Sequence, residues 1–547
     1  MRCAYPNLRN EDIPPFCVHG SLCHNETMND TTLITALHDP GVYDHPVTDV
    51  RLVETHISWV LLTGDYVYKI KKPVDLGFLD FSSLAARRYY CERELALNRR
   101  LAPELYLEVV SLTGSPAAPE INGKGEPFEY AVKMRQFDPQ QQLDRLLQRG
   151  ELETRHIDQL ADLIAEFHDH IETAGPDSHH GTPEAVWGPM QENFDLIRSR
   201  LLDAADQTRL ARLYRWSEAQ FQRLKGIISQ RKRDGFVRNC HGDMHLANIT
   251  LLDDQVRVFD CIEFNEDLRW IDVMSEIAFT TMDLADRDRP DLAARLLNRY
   301  LQGSGDYAGL AMLRLYQVYR ALVRAKVAMI RHGQEGLTDD ERQQSLAQYR
   351  DYARLAESFT RAQTPTLFIA HGVSGSGKTT LTQPLLERYD MIRLRSDVER
   401  KRLFGLAEQE RSGSATGAGI YTAAASEKTY RRLREVARQI LEAGYSTIVD
   451  ATFLKRHQRQ LFSELAVELD LALVILHFHA DPALLRQWIR ERQAAGKDAS
   501  EADIQVLEHQ LANEEILQGD EARHIITIDS GREDAVQTLI EAVSKLP

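Results

Sequence analysis

The chain has 547 residues, of which 43% are hydrophobic and 27% are charged, as in an ordinary globular protein. Its 82 acidic residues outnumber the 66 basic ones, and the net charge of -16 argues against broad nucleic-acid binding, which needs a basic face. Because no apolar run approaches the ~20 residues of a membrane span and no signal peptide is evident, we expect a cytoplasmic protein that binds no membrane.

The N-terminal segment, residues 1–30, has no helical or strand periodicity, and we expect a disordered extension. It holds three of the six cysteines and two histidines, in a spacing that matches no zinc pattern. Met28 is a plausible alternative start. No C-x-x-C pair occurs, so the cysteines are predicted to be reduced and structural; they are Cys3, Cys17, Cys23, Cys91, Cys240 and Cys261.

Residues 31–335 are predicted to form one α+β domain with a small sheet lobe followed by a mainly helical lobe. Two β-rich runs surround Thr63-Gly64-Asp65, which predicts a hairpin. Helical patterns then dominate, which is the layout of protein-kinase-like folds. The predicted strands are His56–Leu62, Tyr66–Lys71, Pro127–Phe137, Ile249–Leu252 and Val256–Phe259, and the predicted helical stretches include Ser82–Leu101 and residues 291–360.

The segment HGDMHLAN, His241–Asn248, has the spacing of a kinase catalytic loop. Phosphoryl transfer needs a carboxylate that accepts the proton of the attacking hydroxyl, and Asp243 suits this role. It also needs side chains that hold magnesium, and Asn248 and Asp260 suit that role. Three such residues in this order, with a β-hairpin pattern between the last two, predict a catalytic centre.

This region, about residues 45–335, resembles the aminoglycoside phosphotransferase family. The resemblance implies that Asp243 is the catalytic base, that Asn248 and Asp260 bind metal, and that His241 holds the loop. It also implies that Asp272 is a structural residue in the segment that braces the loop.

The ATP side of this first site is predicted around Val67–Lys71. Lys69 fits the family's apolar-Tyr-Lys pattern, although Lys71 alternates onto the same face of the strand and could serve instead. Its helix partner is predicted as Glu94, with Glu92 as the alternative, and Met134–Gln136 would lie at the adenine hinge. No G-x-G-x-x-G precedes Lys69, which weakens a protein-kinase assignment more than the phosphotransferase resemblance.

A polar segment, residues 336–364, is predicted to be a linker that is partly helical. Beyond it, residues 365–547 alternate between strand and helix patterns, which predicts an α/β domain with a parallel sheet covered by helices. The patterns are Leu367–Ala370, Thr379–Tyr389, Met391–Leu394, Ser446–Val449, Leu473–Phe478 and Ile525–Ile528.

The segment GVSGSGKT fits G-x-x-x-x-G-K-[ST], the P-loop pattern, between a strand pattern and a helix pattern. Its backbone N–H groups would surround phosphate oxygens, Lys378 would reach the outer phosphates, and Thr379 would ligate magnesium. The predicted ATP-binding residues are Gly372, Val373, Ser374, Gly375, Ser376, Gly377, Lys378, Thr379 and Thr380.

Residues downstream of the P-loop indicate a small kinase rather than a motor ATPase. Asp397, just past the second strand, is placed to accept a proton from a substrate hydroxyl. Asp450 follows a strand and would lie near the metal. An arginine-rich helix could close over the triphosphate. It carries Arg486, Arg490 and Arg492, of which Arg492 is our candidate for ATP binding.

This half resembles the small P-loop kinases, namely polynucleotide kinases, zeta toxins and gluconate kinases. The resemblance implies that Asp397 is the base and that Arg400, in D-x-x-R, lies near the substrate. The order of the two halves resembles fused bacterial proteins described as predicted kinases.

The sequence as a whole predicts an ATP- and magnesium-dependent phosphotransferase with two nucleotide sites and hydroxyl acceptors, either small molecules or nucleotides. One alternative is that the N-terminal domain binds a nucleotide or ligand and regulates a P-loop ATPase or kinase. Another is a polynucleotide 5′-hydroxyl kinase or a toxin-like nucleotide-sugar kinase. Neither the acceptors nor the oligomeric state is indicated by the sequence.

Overall fold

The computed structural model describes residues 28–75, 77, 79–414, 418–495, 500–518, 521 and 524–546. These residues divide into two compact units. Unit 1 comprises 28–286 and 314–360, and unit 2 comprises 287–313 and 361–546. Most of the predicted extension, with its cysteines and histidines, lies outside the described residues.

Unit 1 begins with an antiparallel sheet in the order β1-β2-β3-β6-β4-β5. The predicted hairpin is confirmed, with Leu62 opposite Val67 across the turn. Helix α2 begins after Ser83, whose hydroxyl caps the N–H of Ala86. The elements are α1 (Met28–Ala36), β1 (Arg51–Glu54), β2 (Ser58–Leu62), β3 (Tyr66–Lys71), α2 (Leu84–Asn98), β4 (Tyr106–Ser115), β5 (Ala118–Ile121) and β6 (Glu129–Arg135).

The following part of the chain is mainly helical and contains two short antiparallel strand pairs, β7 with β10 and β8 with β9. The predicted sheet lobe and helical lobe are therefore both present. The elements are α3 (Leu143–Gln148), α4 (Thr154–His170), α5 (Pro183–Arg200), α6 (Ala204–Arg233), β7 (Val237–Asn239), β8 (Ile249–Leu252), β9 (Gln255–Val258), β10 (Trp270–Asp272), α7 (Val273–Asp286), α8 (Pro290–Ser304), α9 (Leu310–His332) and α10 (Asp339–Phe359).

The segment predicted as a linker contains the long helix α10, which starts at a capping box between Thr338 and Glu341. Its residues Tyr349, Ala353 and Ala356 are fully buried in one core with residues of α5, α7 and α9. Their spacing of four and three residues places them on one face of the helix. Most of 336–364 is therefore a packed part of unit 1.

Unit 2 contains a five-stranded parallel sheet in the order β12-β13-β11-β14-β15. The predicted parallel sheet with helices is confirmed. The elements are β11 (Leu367–His371), α11 (Lys378–Tyr389), β12 (Ile392–Arg395), α12 (Ser396–Leu403), α13 (Ala423–Glu442), β13 (Thr447–Asp450), α14 (Arg456–Glu468), β14 (Leu473–His479), α15 (Pro482–Ala495), α16 (Ile504–Asn513), β15 (His524–Asp529) and α17 (Ala535–Ser544).

Helix α8 belongs to unit 2, although the sequence prediction grouped its residues with the N-terminal domain. The buried Asn298 side chain uses both of its polar atoms to bind the edge strand β12 and the residue directly before it. It donates to the carbonyl of Met391 at 2.9 Å and accepts the N–H of Arg393 at 2.8 Å. Arg295 also pairs with Glu387 of α11 at 3.1 Å. Helix α8 therefore covers a strand edge that would otherwise be open.

Among the described helices, none is both long and apolar enough to cross a membrane.

Candidate active sites

The predicted catalytic loop lies between β7 and β8, and Asn248 ties it together. The Asn248 amide donates to the Asp243 carbonyl at 3.0 Å and to Asp243 Oδ2 at 3.2 Å. His245 Nε2 lies 3.5 Å from the same carboxylate. Asp243 and Asn248 are thus brought together, as the sequence predicted.

Helix α7 holds this loop through three side chains on one face. The Glu276 carboxylate accepts the N–H of His241 at 2.9 Å and that of Gly242 at 2.6 Å. One turn further on, Thr280 donates to the carbonyl of Met244 at 2.8 Å. After another turn, Asp283 accepts the N–H of Leu246 at 2.9 Å. The spacing of four and then three residues follows the helix periodicity, so one helix face fixes the loop backbone.

The structure assigns the bracing of the loop backbone to Glu276, a residue that the sequence prediction missed. Asp272, which we expected in the bracing segment, pairs with Arg231 at 2.7 and 2.8 Å. It also accepts the N–H of Met274 at 2.9 Å. Asp272 is therefore structural, as predicted, but it anchors α6 to the start of α7. The two carboxylates are one helical turn apart, and the sequence carries no signal that distinguishes them.

Both ring nitrogens of His241 are engaged within the loop. Nε2 lies 2.9 Å from the carbonyl of Phe259, which can only accept, so Nε2 carries the proton. Nδ1 accepts the N–H of Asp243 at 3.3 Å. His241 therefore has no nitrogen left for a substrate, which agrees with its expected role in holding the loop.

Lys69 joins the predicted ATP side of the site to the predicted metal side. Its Nζ lies 2.7 Å from Glu94 Oε1 and 2.8 Å from Asp260 Oδ1. Lys71 contacts the other oxygen of Glu94 at 2.7 Å and also pairs with Glu263. The Lys71 side chain is fully buried, whereas that of Lys69 keeps 13% of its exposure. Of the two lysines, Lys69 is the one that reaches Asp260.

The alternative helix partner, Glu92, faces solvent and pairs with Arg88 on its own helix. At Met134–Gln136, where we expect the adenine hinge, two backbone N–H groups donate to carbonyls of the protein itself. The N–H of Arg135 donates to the carbonyl of Leu105 at 2.8 Å, and that of Gln136 donates to the carbonyl of Asp65 at 2.9 Å. These two N–H groups are already used within the protein.

The pKa values of the two aspartates move in opposite directions. Burial alone raises the pKa of Asp243, but His245 and Arg324 outweigh it and hold this pKa below its usual value. Burial raises the pKa of Asp260 to about 6, with Lys69 opposing the rise and Glu94 adding to it. Asp243 is therefore ionised at neutral pH, as a proton acceptor must be.

The residues of the first site fit a divalent cation. Asn248 Oδ1 is buried and has no hydrogen-bond partner within the described part of the chain. Because the amide nitrogen is bound to Asp243, the orientation of this oxygen is fixed. An amide oxygen and the Asp260 carboxylate are oxygen ligands of the kind that magnesium prefers.

The P-loop follows β11 and leads into α11, as predicted. Gly372 has a φ of +145°, and a Cβ there would lie 2.5 Å from the carbonyl oxygen of Phe478. Only glycine fits this position, because both the backbone conformation and the space exclude a side chain. Ser376 is fully buried, and its hydroxyl has no partner among the described residues.

Two P-loop side chains are held at the carboxyl ends of neighbouring strands. Lys378 Nζ donates to the carbonyls of Gly372 at 2.9 Å and Val373 at 2.8 Å. The Thr379 hydroxyl donates to Asp450 Oδ2 at 2.6 Å, and Asp450 pairs in register with Ala370. Since the hydroxyl proton is taken by the carboxylate, the Thr379 oxygen keeps its lone pairs for a cation. This second site therefore also fits magnesium.

Asp397 and Arg400 lie on successive turns of α12, and Asp397 Oδ1 is 3.6 Å from Arg400 Nη1. The Arg400 guanidinium lies 5.0 Å from the centre of the Tyr421 ring, and its buried Nε has no partner among the described residues. A guanidinium with an unused donor can bind an acceptor molecule beside Asp397.

The arginines of α15 have different surroundings. Arg486 pairs with Glu508, Arg490 is exposed, and Arg492 donates to the carbonyl of Ala502 at 2.6 Å. Burial lowers the pKa of Lys378; Asp450 and Asp397 oppose this effect and Arg492 reinforces it. These three charged residues thus act on the P-loop lysine. Thr380, which we also predicted to bind ATP, lies on the exposed side of α11.

Family models match both the N-terminal and the C-terminal part of the chain. Residues 61–313 match the model of the phosphotransferase enzyme family, and residues 367–517 match that of an AAA domain. An uncharacterized protein of Mycobacterium tuberculosis (strain ATCC 25618 / H37Rv) is 28% identical over 459 residues, which are 84% of this chain and 89% of that protein.

Two of the solved structures that are similar to part of this chain are kinases. A choline/ethanolamine kinase family protein from Mesorhizobium loti has a TM-score of 0.37 and 13% identity, over 61% of this chain and 98% of its own. A gluconokinase from Sinorhizobium meliloti 1021 has a TM-score of 0.25 and 19% identity, over 34% of this chain and 94% of its own. A match to the phosphotransferase enzyme family model therefore precedes a match to the AAA domain model along the chain, and together they support a kinase-type phosphotransferase.

Proposed function

We propose that the chain transfers the γ-phosphate of ATP to hydroxyl acceptors at two separate magnesium-dependent sites. The observation that carries the proposal is the contact of Lys69 with both Glu94 and Asp260, at 2.7 and 2.8 Å. It joins the lysine for the phosphates to a carboxylate for the metal. At the second site, the bond from Thr379 to Asp450 makes the corresponding connection.

In this proposal, Asp243 and Asp397 each accept the proton of the attacking hydroxyl. Lys69 and Lys378 hold the phosphates and balance their charge, and the P-loop N–H groups bind phosphate oxygens. Asn248 with Asp260, and Thr379 with Asp450, would hold magnesium, which would supply positive charge against the negative charge that develops on the phosphates. The acceptors are small molecules or nucleotides, because the charge of -16 disfavours long nucleic acids.

The test uses the full-length chain with labelled ATP and a panel of hydroxyl acceptors that includes a 5′-hydroxyl oligonucleotide at low salt. We expect Asp243→Asn to abolish one transfer activity and Asp397→Asn to abolish another, with each variant retaining the activity of the other site. The control is Asp470→Asn, at an exposed aspartate whose φ of +54° asparagine readily adopts.

Two results would overturn the proposal. A wild-type protein that hydrolyses ATP but phosphorylates no acceptor is an ATPase. If Asp243→Asn leaves every transfer unchanged while Lys69→Met alters the P-loop activity, the first site is regulatory rather than catalytic.

A further inference from the structure

A glutamine of α16 binds the P-loop through both ends of its carboxamide. Gln510 Oε1 accepts the backbone N–H of Ser374 at 2.7 Å. Gln510 Nε2 donates to the Ser374 hydroxyl oxygen at 3.1 Å. A two-point contact to a single residue fixes both the backbone and the side chain of that residue.

The two helices α15 and α16 are seated on the same part of the loop by apolar packing. Val373 is buried in one cluster with Leu485 and Ile489 of α15 and Leu507 of α16. A Cβ at Gly375 would lie 2.8 Å from Ile489 Cγ1. The contact of Gln510 is therefore held in place from both sides of Ser374.

We expect Ser374 to lie near the outer phosphates of a bound nucleotide. Lys378, the residue that reaches the outer phosphates in P-loops, donates to the carbonyl of Val373 at 2.8 Å. Val373 directly precedes Ser374. Because the Ser374 oxygen accepts from Gln510, its own hydroxyl proton is directed away from Gln510 and is free to donate elsewhere.

We propose that Gln510 is a positioning residue that orients the Ser374 hydroxyl toward the γ-phosphate, so that the P-loop site distinguishes a nucleoside triphosphate from a diphosphate. The inference rests on the proposed function, since it takes the P-loop as a nucleotide site. Gln510 acts through Ser374 and does not itself touch the nucleotide.

The experiment is calorimetric binding of ADP and of a non-hydrolysable ATP analogue to the full-length chain with magnesium. The P-loop component is the part of the signal that Lys378→Ala removes. We expect Gln510→Ala to weaken binding of the ATP analogue about tenfold, as for one lost hydrogen bond of average strength, and to leave ADP binding unchanged. The control is Gln487→Ala, an exposed glutamine of α15 that binds Glu491 on its own helix.

Two further variants separate positioning from folding. Gln510→Glu keeps an acceptor for the Ser374 N–H but lets the carboxylate take the Ser374 proton. We expect it to weaken analogue binding at least as much as Gln510→Ala. Ser374→Ala should weaken analogue binding equally, and the double variant Ser374→Ala with Gln510→Ala should be no weaker than either single variant, because both changes remove one hydrogen bond.

Equal losses for ADP and for the analogue would show that Gln510 merely maintains the loop, and would overturn the inference alone. Unchanged analogue binding in Gln510→Ala would do the same. If Lys378→Ala removes no binding from the wild-type signal, the proposed P-loop site is wrong and the inference falls with it.

Discussion

The Glu276 carboxylate accepts the backbone N–H of Gly242 at 2.6 Å, directly before the predicted catalytic base. It also contacts His168 at 3.0 Å. Glu276→Gln replaces one acceptor oxygen by an NH2 group, so we expect a loss of about 2 kcal/mol in the free energy of unfolding of unit 1. We also expect transfer at the first site to fall at least tenfold.

Chemical denaturation and the Asp243-dependent transfer assay measure these two effects. Glu184→Gln, at an exposed position in the first turn of α5, serves as the control. Equal stability and transfer in the wild type and Glu276→Gln would rule out this bracing role.

The same carboxylate makes the stability of unit 1 depend on pH. Burial raises the pKa of Glu276, but His168, His241 and the N–H of Gly242 lower it to about 2 from the ordinary 4.5. Its contribution is therefore complete above pH 4.5 and is lost as the pH falls toward 2. This pKa shift corresponds to about 3 kcal/mol in the free energy of unfolding. We expect urea unfolding at stepped pH to show that the difference in free energy of unfolding between the wild type and Glu276→Gln becomes smaller as the pH falls through this window. A difference that stays constant would contradict the assignment.

Lys69 and Lys71 should differ in what their loss damages. Lys71→Met leaves Glu94 and Glu263 facing each other in a buried site, so we expect a loss of about 3 kcal/mol or more in stability. Lys69→Met should instead remove nucleotide binding at the first site, because Lys69 is the partly exposed lysine that contacts Asp260. Thermal unfolding and nucleotide titration of both variants make the comparison. The prediction fails if Lys71→Met is as stable as the wild type.

Alanine substitutions at two glycines of unit 2 allow the cost of backbone strain to be measured apart from the cost of steric crowding. Gly405 has a φ of +72° with open space around it. Gly405→Ala should therefore lower the free energy of unfolding by about 1 kcal/mol, through backbone strain alone. Gly372 has a φ of +145° and a carbonyl oxygen 2.5 Å from an added Cβ. We expect Gly372→Ala to cost more stability and to abolish the Lys378-dependent nucleotide binding. Retained binding in Gly372→Ala would contradict the crowding seen at Phe478.

Asn298 of α8 should stabilise unit 2. Asn298→Ala removes the hydrogen bonds to Met391 and Arg393, and we expect the free energy of unfolding of unit 2 to fall by about 2 kcal/mol. Asn513 is the matched control, because among the described residues its amide nitrogen bonds only to His509, on its own helix. Denaturation of Asn298→Ala and Asn513→Ala gives the comparison, and equal midpoints would contradict the contribution of α8 to this unit.

Sequence patterns predicted the elements whose signals are local. The hairpin at Thr63–Asp65 and the strand, loop and helix around Lys378 carry their own turn and glycine signals, so their positions could be predicted. The packing of α8 and α10 could not be predicted, because an amphipathic helix pattern does not name the surface that its apolar face covers.

The candidate sites were predictable to the same extent. Spacing within HGDMHLAN pairs Asp243 with Asn248, because only four residues separate them in the chain and this limits how far apart they can lie. Glu276 was missed, since its partners are backbone N–H groups 34 and 35 residues away in the chain. Gln510 is likewise 136 residues from Ser374. Contacts over such separations leave no mark in a single sequence.

The chain enters unit 2 with α8, returns to unit 1, and then enters unit 2 again. Each unit is thus assembled from two separate stretches of polypeptide, and no single peptide bond divides one unit from the other. A protease that cuts between residues 360 and 367 would leave α8 on the N-terminal fragment, still bound to β12 through Asn298. The two fragments would stay together in a native gel and come apart only in denaturant.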